Sequence, residues 1–219
     1  MISKYSSINI YEDKKKNSKI SSQILYGEKF LIIKKYKDWY KIITDYDKYV
    51  GFIKPKKFKK FAYKPTHKVS SLKANVFSKP FKSSKIKMRL SFASLLQIKS
   101  TKNNFLNFDN HWIRKSDVVP INYKEKIFKK ITIFKDVKYK WGGKKFDGVD
   151  CSGLVQLFYK FNNLYCPRDT GPQFRYFKKC KSIKKNAIIF WKGHVAICLS
   201  KKKINSCLWS KEKSSYNGY

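Results

Sequence analysis

The sequence predicts an α+β protein in three parts: two small β-barrels, then a unit with helices first and an antiparallel sheet after. Three observations carry this. Short aromatic and β-branched runs broken by Gly, Asp and Lys clusters fill the chain as far as about residue 120. Apolar residues then take helical spacing from Tyr123, and three strand-like runs follow a Gly- and Asp-rich loop.

In the first unit, residues 1–62, strands are expected in "KFLIIKKY" (29–36), "DWYKIITD" (38–45) and "KYVGFIKP" (48–55). Runs this short suit a small barrel better than a sandwich, with Gly27 and Gly51 at turns or tight corners. Pro65 and a change of composition set a boundary. The second unit, residues 63–122, has candidate strands in "SLKANVF" (71–77), "SFASLLQIK" (91–99) and "HWIRKSDVV" (111–119), with Pro80 as an interruption and Lys102 to Asn104 as a turn.

The third unit, residues 123–219, opens on "YKEKIFKKITIFKDV", where Ile127, Phe128, Ile131 and Phe134 fall at helical spacing. The loop "YKWGGKKFDGVD" is too rich in Gly and Asp to continue a helix. "CSGLVQLFYKFNN" has Leu154, Val155, Leu157, Phe158 and Phe161 along one helical face and a stop at Asn162–Asn163. Strands at 187–191, 194–199 and 203–208 complete the unit.

Composition narrows the function. A formal charge of +37 in 219 residues invites a nucleic-acid partner. The basic residues are nearly all lysine, however, with only Arg89, Arg114, Arg168 and Arg175, and they are spread along the whole chain. Base and phosphate readers favour the arginine fork, so a compositional bias is the better account. No run of about 18 apolar residues exists, which argues against a membrane-spanning helix. The first residues lack the apolar centre of a secretory signal, and a cytoplasmic location is expected. Five cysteines (151, 166, 180, 198 and 207) form no CxxC and are read as reduced thiols, and no metal or cofactor is expected.

The chemistry centres on "FDGVDCSGLV" (146–155). Asp150 is a good N-cap, which puts Cys151 in the first turn of a helix. The unpaired N–H groups and the positive end of the dipole there favour thiolate and lower the thiol pKa. His194, the one histidine of this unit, opens a strand after the Lys192–Gly193 turn and could act as base. Asn205 on the next strand falls close to the opposite position if the hairpin turns at Ser200–Lys202, where its amide would orient the ring. On spacing alone an inert core thiol and a nucleophile both fit Cys151. The other cysteines lack such surroundings.

"YKWGGKKFDGVDCSGLVQLFYKF", then "CPRDTGPQ", "AIIFWKGHVAI" and "INS", resemble the NlpC-family papain-like cysteine peptidases that cut cell-wall peptides. The resemblance implies a papain-like catalytic domain with Cys151 as nucleophile, His194 as base and Asn205 as the orienting residue. Many relatives carry His at the third place. The Asp that commonly opens the strand before the His is Asn186 here. "YEDKKKNSKISSQILYGEKF", "DWYKI", "DKYVGFI" and "THKVSSLKANVFSKP" resemble the paired SH3-like barrels of members that recycle murein peptides. That likeness implies murein peptides with a free N-terminal L-Ala as substrates, cut at the γ-D-glutamyl–diamino acid bond. It assigns the amine of the substrate to Glu28, Tyr49, Asp150 and Ser152. Trp141, Tyr139, Arg168 and Gln173 could line the cleft, although a tryptophan such as Trp141 is more often a packing anchor. The rival expectations are a broader wall-peptide endopeptidase or amidase, and a non-catalytic module binding wall or nucleic acid.

Overall fold

Apolar and polar residues alternate in the first strand, and its inward pair Ile8 and Ile10 meets isoleucines and a phenylalanine from the other strands in one small core. The computed structural model of the protein describes residues 1–58, 62–200 and 203–205. Its first sheet joins β1 (Ser7–Tyr11), β2 (Ile20–Leu25), β3 (Phe30–Lys35), β4 (Tyr40–Thr44) and β5 (Val50–Ile53) in the order β2-β1-β5-β4-β3. Ile8, Ile10, Ile24, Phe30, Ile42 and Ile53 form the core that it wraps. The three expected strands are present. β1 and β2 were not singled out, because the charged run from Glu12 to Lys19 between them hides the pairing Ser7↔Leu25 to Tyr11↔Ile20.

The second unit holds two antiparallel sheets. β6 (His67–Val69), β7 (Lys73–Phe77), β8 (Ile86–Ser91) and β9 (Leu95–Leu96) come first in the chain. β10 (Ser100–Lys102), β11 (Phe105–Phe108), β12 (His111–Arg114) and β13 (Val118–Pro120) follow. Their orders are β10-β11-β12-β7-β8 and β13-β6-β9. The single strand expected over 91–99 is broken. Ala93 takes a left-handed φ of 64°, Ser94 N–H donates to Ser91, and Phe92 leaves the sheet altogether. Its ring is buried in the neighbouring unit, stacked on Phe161 at 4.5 Å. The run 111–119 is likewise divided, by a 3₁₀ turn at Lys115–Asp117.

The third unit contains a short hairpin of β14 (Lys144–Lys145) and β15 (Gly148–Val149), then α1 (Cys151–Phe161) and α2 (Thr170–Tyr176). β16 (Ile188–Trp191), β17 (His194–Ser200) and β18 (Lys203–Asn205) form its antiparallel sheet. Residues 206–208 of the last expected strand, and Cys207, lie outside the described residues. Asn162 ends α1 and Asn163 takes a left-handed φ of 58°, as the expected stop requires.

The helix expected over 123–137 does not form. Phe128 has a φ of 66°, and successive N–H groups bond three residues back, with one 3₁₀ turn at Ile131–Phe134. A spacing of 128, 131 and 134 is the eclipsed three-residue repeat of a 3₁₀ path, and the β-branched Ile127, Ile131, Thr132 and Ile133 disfavour an α-helix. Burial is nonetheless as the apolar pattern requires, since Phe128, Ile131 and Phe134 all pack on α1 within one core.

Buried contacts lock the units together, three of them at Gly27, Lys68 and Glu28. Gly27, with a φ of 79°, brings the first unit so close that a Cβ there would lie 2.1 Å from the Leu95 carbonyl oxygen of the second. Lys68 of β6 donates to the carbonyl oxygens of Tyr123, at 2.7 Å, and Phe161, capping the end of α1. Glu28 is 7% exposed and accepts from Leu25 N–H at 2.6 Å while pairing with Lys160 of α1 and with Lys144 at 3.7 Å. Burial alone would raise its carboxyl, but the two lysines together hold it below its ordinary 4.5.

Glu28→Gln would leave two buried ammonium groups without their carboxylate, at a cost of about 3–5 kcal/mol. Because the folded pKa is depressed, the stabilisation is present above pH 4.5 and lost as pH falls through the folded value. Urea unfolding at pH 7 should show the full deficit, and the gap to the unaltered protein should close below pH 4.5. A gap that is small at pH 7, or constant with pH, would refute this role.

Candidate active site

The site begins at the first turn of α1. Asp150 is the extended N-cap, and its Oδ1 accepts from Gly153 N–H at 2.7 Å. Gly153 is fixed by space: a Cβ there would sit 2.6 Å from the Gly143 carbonyl oxygen. Cys151 follows the cap with its thiol 5% exposed, 3.9 Å from Thr170 Oγ1 and within reach of the Val195 N–H. That N–H belongs to the residue after His194, so β17 delivers the histidine to the same end of α1 as the thiol. His194 is half-buried, faces Trp191 across the ladder with ring centres 4.7 Å apart, and feels the charge of Asp150.

The expected thiolate does not follow from the helix dipole here. Burial, and after it the Asp150 charge, push the Cys151 thiol above its ordinary 9.0. The Val195 N–H, the Thr170 hydroxyl and the Ser152 N–H offset this only in part. Burial likewise lowers the His194 pKa from 6.5, against a smaller opposing effect of Asp150. Between those values the resting pair is neutral thiol and neutral imidazole, and the base must take the proton during attack.

The expected binding residues divide. Asp150 is saturated: Gly142 N–H donates to its Oδ2 at 2.8 Å, and Arg168 grips both carboxylate oxygens, at 3.0 and 2.6 Å. Ser152 accepts from Arg168 at 3.0 Å and is buried. Glu28 accepts from Leu25 N–H and pairs with Lys160 and Lys144, so its carboxylate is engaged within the protein. Tyr49 is the exception, half-buried beside Ser21 and within electrostatic reach of Asp169, Arg168 and Asp47. Trp141, at 60% exposed, and Tyr139 stand out to solvent. Gln173 is instead a buried tie, donating to Ser152 and Pro167 carbonyls at 2.9 Å each.

Asn205 is placed by its backbone alone. The ladder pairs it with Ile197, three residues along β17 from His194 rather than across from it. Residues 201–202 of the expected hairpin turn are outside the described residues. Asn186 takes a left-handed φ of 68° and donates to the Cys198 carbonyl oxygen at 2.6 Å, a conformation that Asn tolerates well.

Two features were missed. α2 was not expected, because "TGPQFRY" is short and holds Gly and Pro. Asp169 is its N-cap, and burial of the carboxyl together with the charges of Asp150, Asp47 and Glu12 holds it above its ordinary 3.8 against the opposing pull of Arg168. The signal for Arg168 was available: a buried N-cap carboxylate needs a cation, and this is one of four arginines among 51 basic residues.

A chain with a cysteine at the start of a helix, a histidine at the start of a facing strand and an N-terminal β-sheet defines a papain-like architecture with an appended sheet. Residues 136–215 match the NlpC/P60 family, and residues 10–58 match the bacterial dipeptidyl-peptidase Sh3 domain. The chain is 30% identical over 174 residues to the gamma-D-glutamyl-L-lysine dipeptidyl-peptidase of Bacillus subtilis, covering 70% of this chain and 57% of that protein. The Bacillus cereus protein of the same name is 25% identical over 184 residues, 72% of this chain and 55% of that one. The chain therefore spans a little over half the length of these curated relatives. A solved NlpC/P60 family protein from Bacillus cereus superposes with a TM-score of 0.77 at 19% identity, over 91% of this chain and 88% of that one.

Alkylation of Cys151 by iodoacetamide reads its thiolate directly. The rate should stay low through neutral pH and rise only above pH 9, since the thiol is raised from that value. A plateau already reached below pH 7 would mean a preformed thiolate–imidazolium pair.

Proposed function

We propose that the protein is a cysteine peptidase that hydrolyses the γ-D-glutamyl–diamino acid bond of murein peptides with a free N-terminal L-Ala, in cytoplasmic recycling of cell-wall fragments. The observation that carries this is the Cys151 thiol, held at the first turn of α1 against the N–H of the residue after His194. The NlpC/P60 match over the same residues supports it. We read residues 1–62, 63–122 and 123–219 as the three units, the second being a further SH3-like barrel.

In this reading His194 accepts the thiol proton as Cys151 Sγ attacks the carbonyl carbon, forming a tetrahedral oxyanion that the Cys151 N–H helps to hold. The C–N bond then breaks, His194 gives its proton to the leaving amine, and water hydrolyses the thioester. Asn205 orients the imidazole. Asp150 and Ser152 act through Arg168, keeping the N-terminus of α1 in place. The substrate amine is read by Tyr49 with the carboxylate of Asp169, since Glu28 is already paired within the protein.

Cys151→Ala and His194→Ala should each abolish release of the diamino acid from L-Ala-γ-D-Glu-diaminopimelate, followed by mass spectrometry. Asn205→Ala should slow it less, and Asn205→His should keep much of the rate; a folded but inactive Asn205→His protein would remove Asn205 from the site. Amine reading is tested with the N-acetylated peptide. Wild type should prefer the free peptide by tenfold or more in kcat/KM, about 1.4 kcal/mol, and Asp169→Asn should erase most of that preference. Equal cleavage of both peptides by wild type favours a broader wall-peptide endopeptidase instead.

A further inference from the structure

We propose that an open groove of about 350 Å³ at the junction of the three units binds a nucleoside monophosphate or a close chemical relative, a small organic phosphate with a flat ring. Each unit contributes to its wall: Ser6 just before β1, Lys87, Met88 and Arg89 from β8, and Lys145 and Phe146 from the β14–β15 hairpin. None of these residues belongs to the site around Cys151. The volume falls at the small end of the range typical of ligand pockets, which favour junctions between domains.

The lining chemistry is one-sided. Lys87 and Arg89 are exposed and have no carboxylate partner among the described residues. Asp147 is adjacent in sequence, but Lys145 holds it at 2.9 Å. Arg89 is one of four arginines in a chain that otherwise uses lysine for its charge, so a general lysine bias does not account for it. Its planar fork suits two oxygens of one phosphate, Lys87 adds a point charge, and the Ser6 hydroxyl can donate to a third oxygen. Phe146, half-buried with the ammonium groups of Lys73 and Lys145 each 5.7 Å from its ring, offers an apolar surface where a planar ring can stack, while Met88 turns to the opposite face of β8 and packs on the core of the second unit.

Isothermal titration of the full chain at 0.15 M salt tests this with AMP, adenosine and inorganic phosphate. AMP should bind with one-to-one stoichiometry, phosphate at least tenfold more weakly, and adenosine not measurably. Arg89→Gln with Lys87→Gln should weaken AMP tenfold or more, and Phe146→Leu should weaken AMP without affecting phosphate. Lys34→Gln with Lys35→Gln, exposed on β3, removes the same charge elsewhere and should change nothing. No saturable binding of AMP, or an equal loss in the Lys34/Lys35 variant, overturns the proposal, the second outcome showing only the general attraction of a positive surface for anions.

Discussion

The buried pair of Arg168 and Asp150 is the constraint on which the candidate site depends. One carboxylate caps α1, receives the Gly142 N–H from the glycine loop and is held at both oxygens by the guanidinium. The same guanidinium reaches Ser152 of α1 and Ser22 of β2, at 3.0 and 2.9 Å. A single side chain thereby fixes the helix N-terminus, the loop before it and the N-terminal sheet in one geometry. Its charge stays buried because each of its three nitrogens donates to a partner and a carboxylate lies against it, the condition under which buried ions are tolerated.

That arrangement sets the electrostatics of the thiol. A helix N-terminus favours a thiolate at Cys151, yet the cap that builds this N-terminus is itself an anion one residue away. Arg168 neutralises much of Asp150 but leaves enough of its field, together with burial, to keep the thiol protonated and to act on His194. Capping and activation pull in opposite directions. The Val195 N–H and the Thr170 hydroxyl, both aimed at the sulfur, provide the local stabilisation that the dipole does not.

What the sequence revealed follows the range of each signal. The N-cap, the helix after Cys151, its stop at Asn162–Asn163 and the hairpin carrying His194 are all local patterns, and all four are present. Failures came where tertiary packing overrode local pattern. The apolar spacing from Ile127 to Phe134 correctly marks burial but not an α-helix, because Phe128 turns left-handed to put its ring on α1. The run 91–99 reads as one strand, yet Phe92 is taken by the core of the third unit. Asp150 and Ser152 were correctly placed beside the nucleophile, while their capture by Arg168, 16 to 18 residues further on, is a long-range contact that spacing does not encode.

Glu28 shows why the N-terminal sheet is more than a neighbour. An acidic residue in a turn next to a cleft has two physical uses, to meet a ligand's cation or one of the protein's own. Here Lys160 on the final turn of α1 and Lys144 in the short hairpin both claim its Oε1. Gln23 in the same sheet accepts from Lys144 N–H at 2.7 Å, and Ser22 meets Arg168. The sheet therefore grips α1 near both of its ends and grips the glycine loop between them. A buried ion cluster adds little net stability over an apolar contact, but it tolerates misalignment poorly. Such a clamp holds the N-terminal sheet in one position against α1, the helix whose first turn carries Cys151.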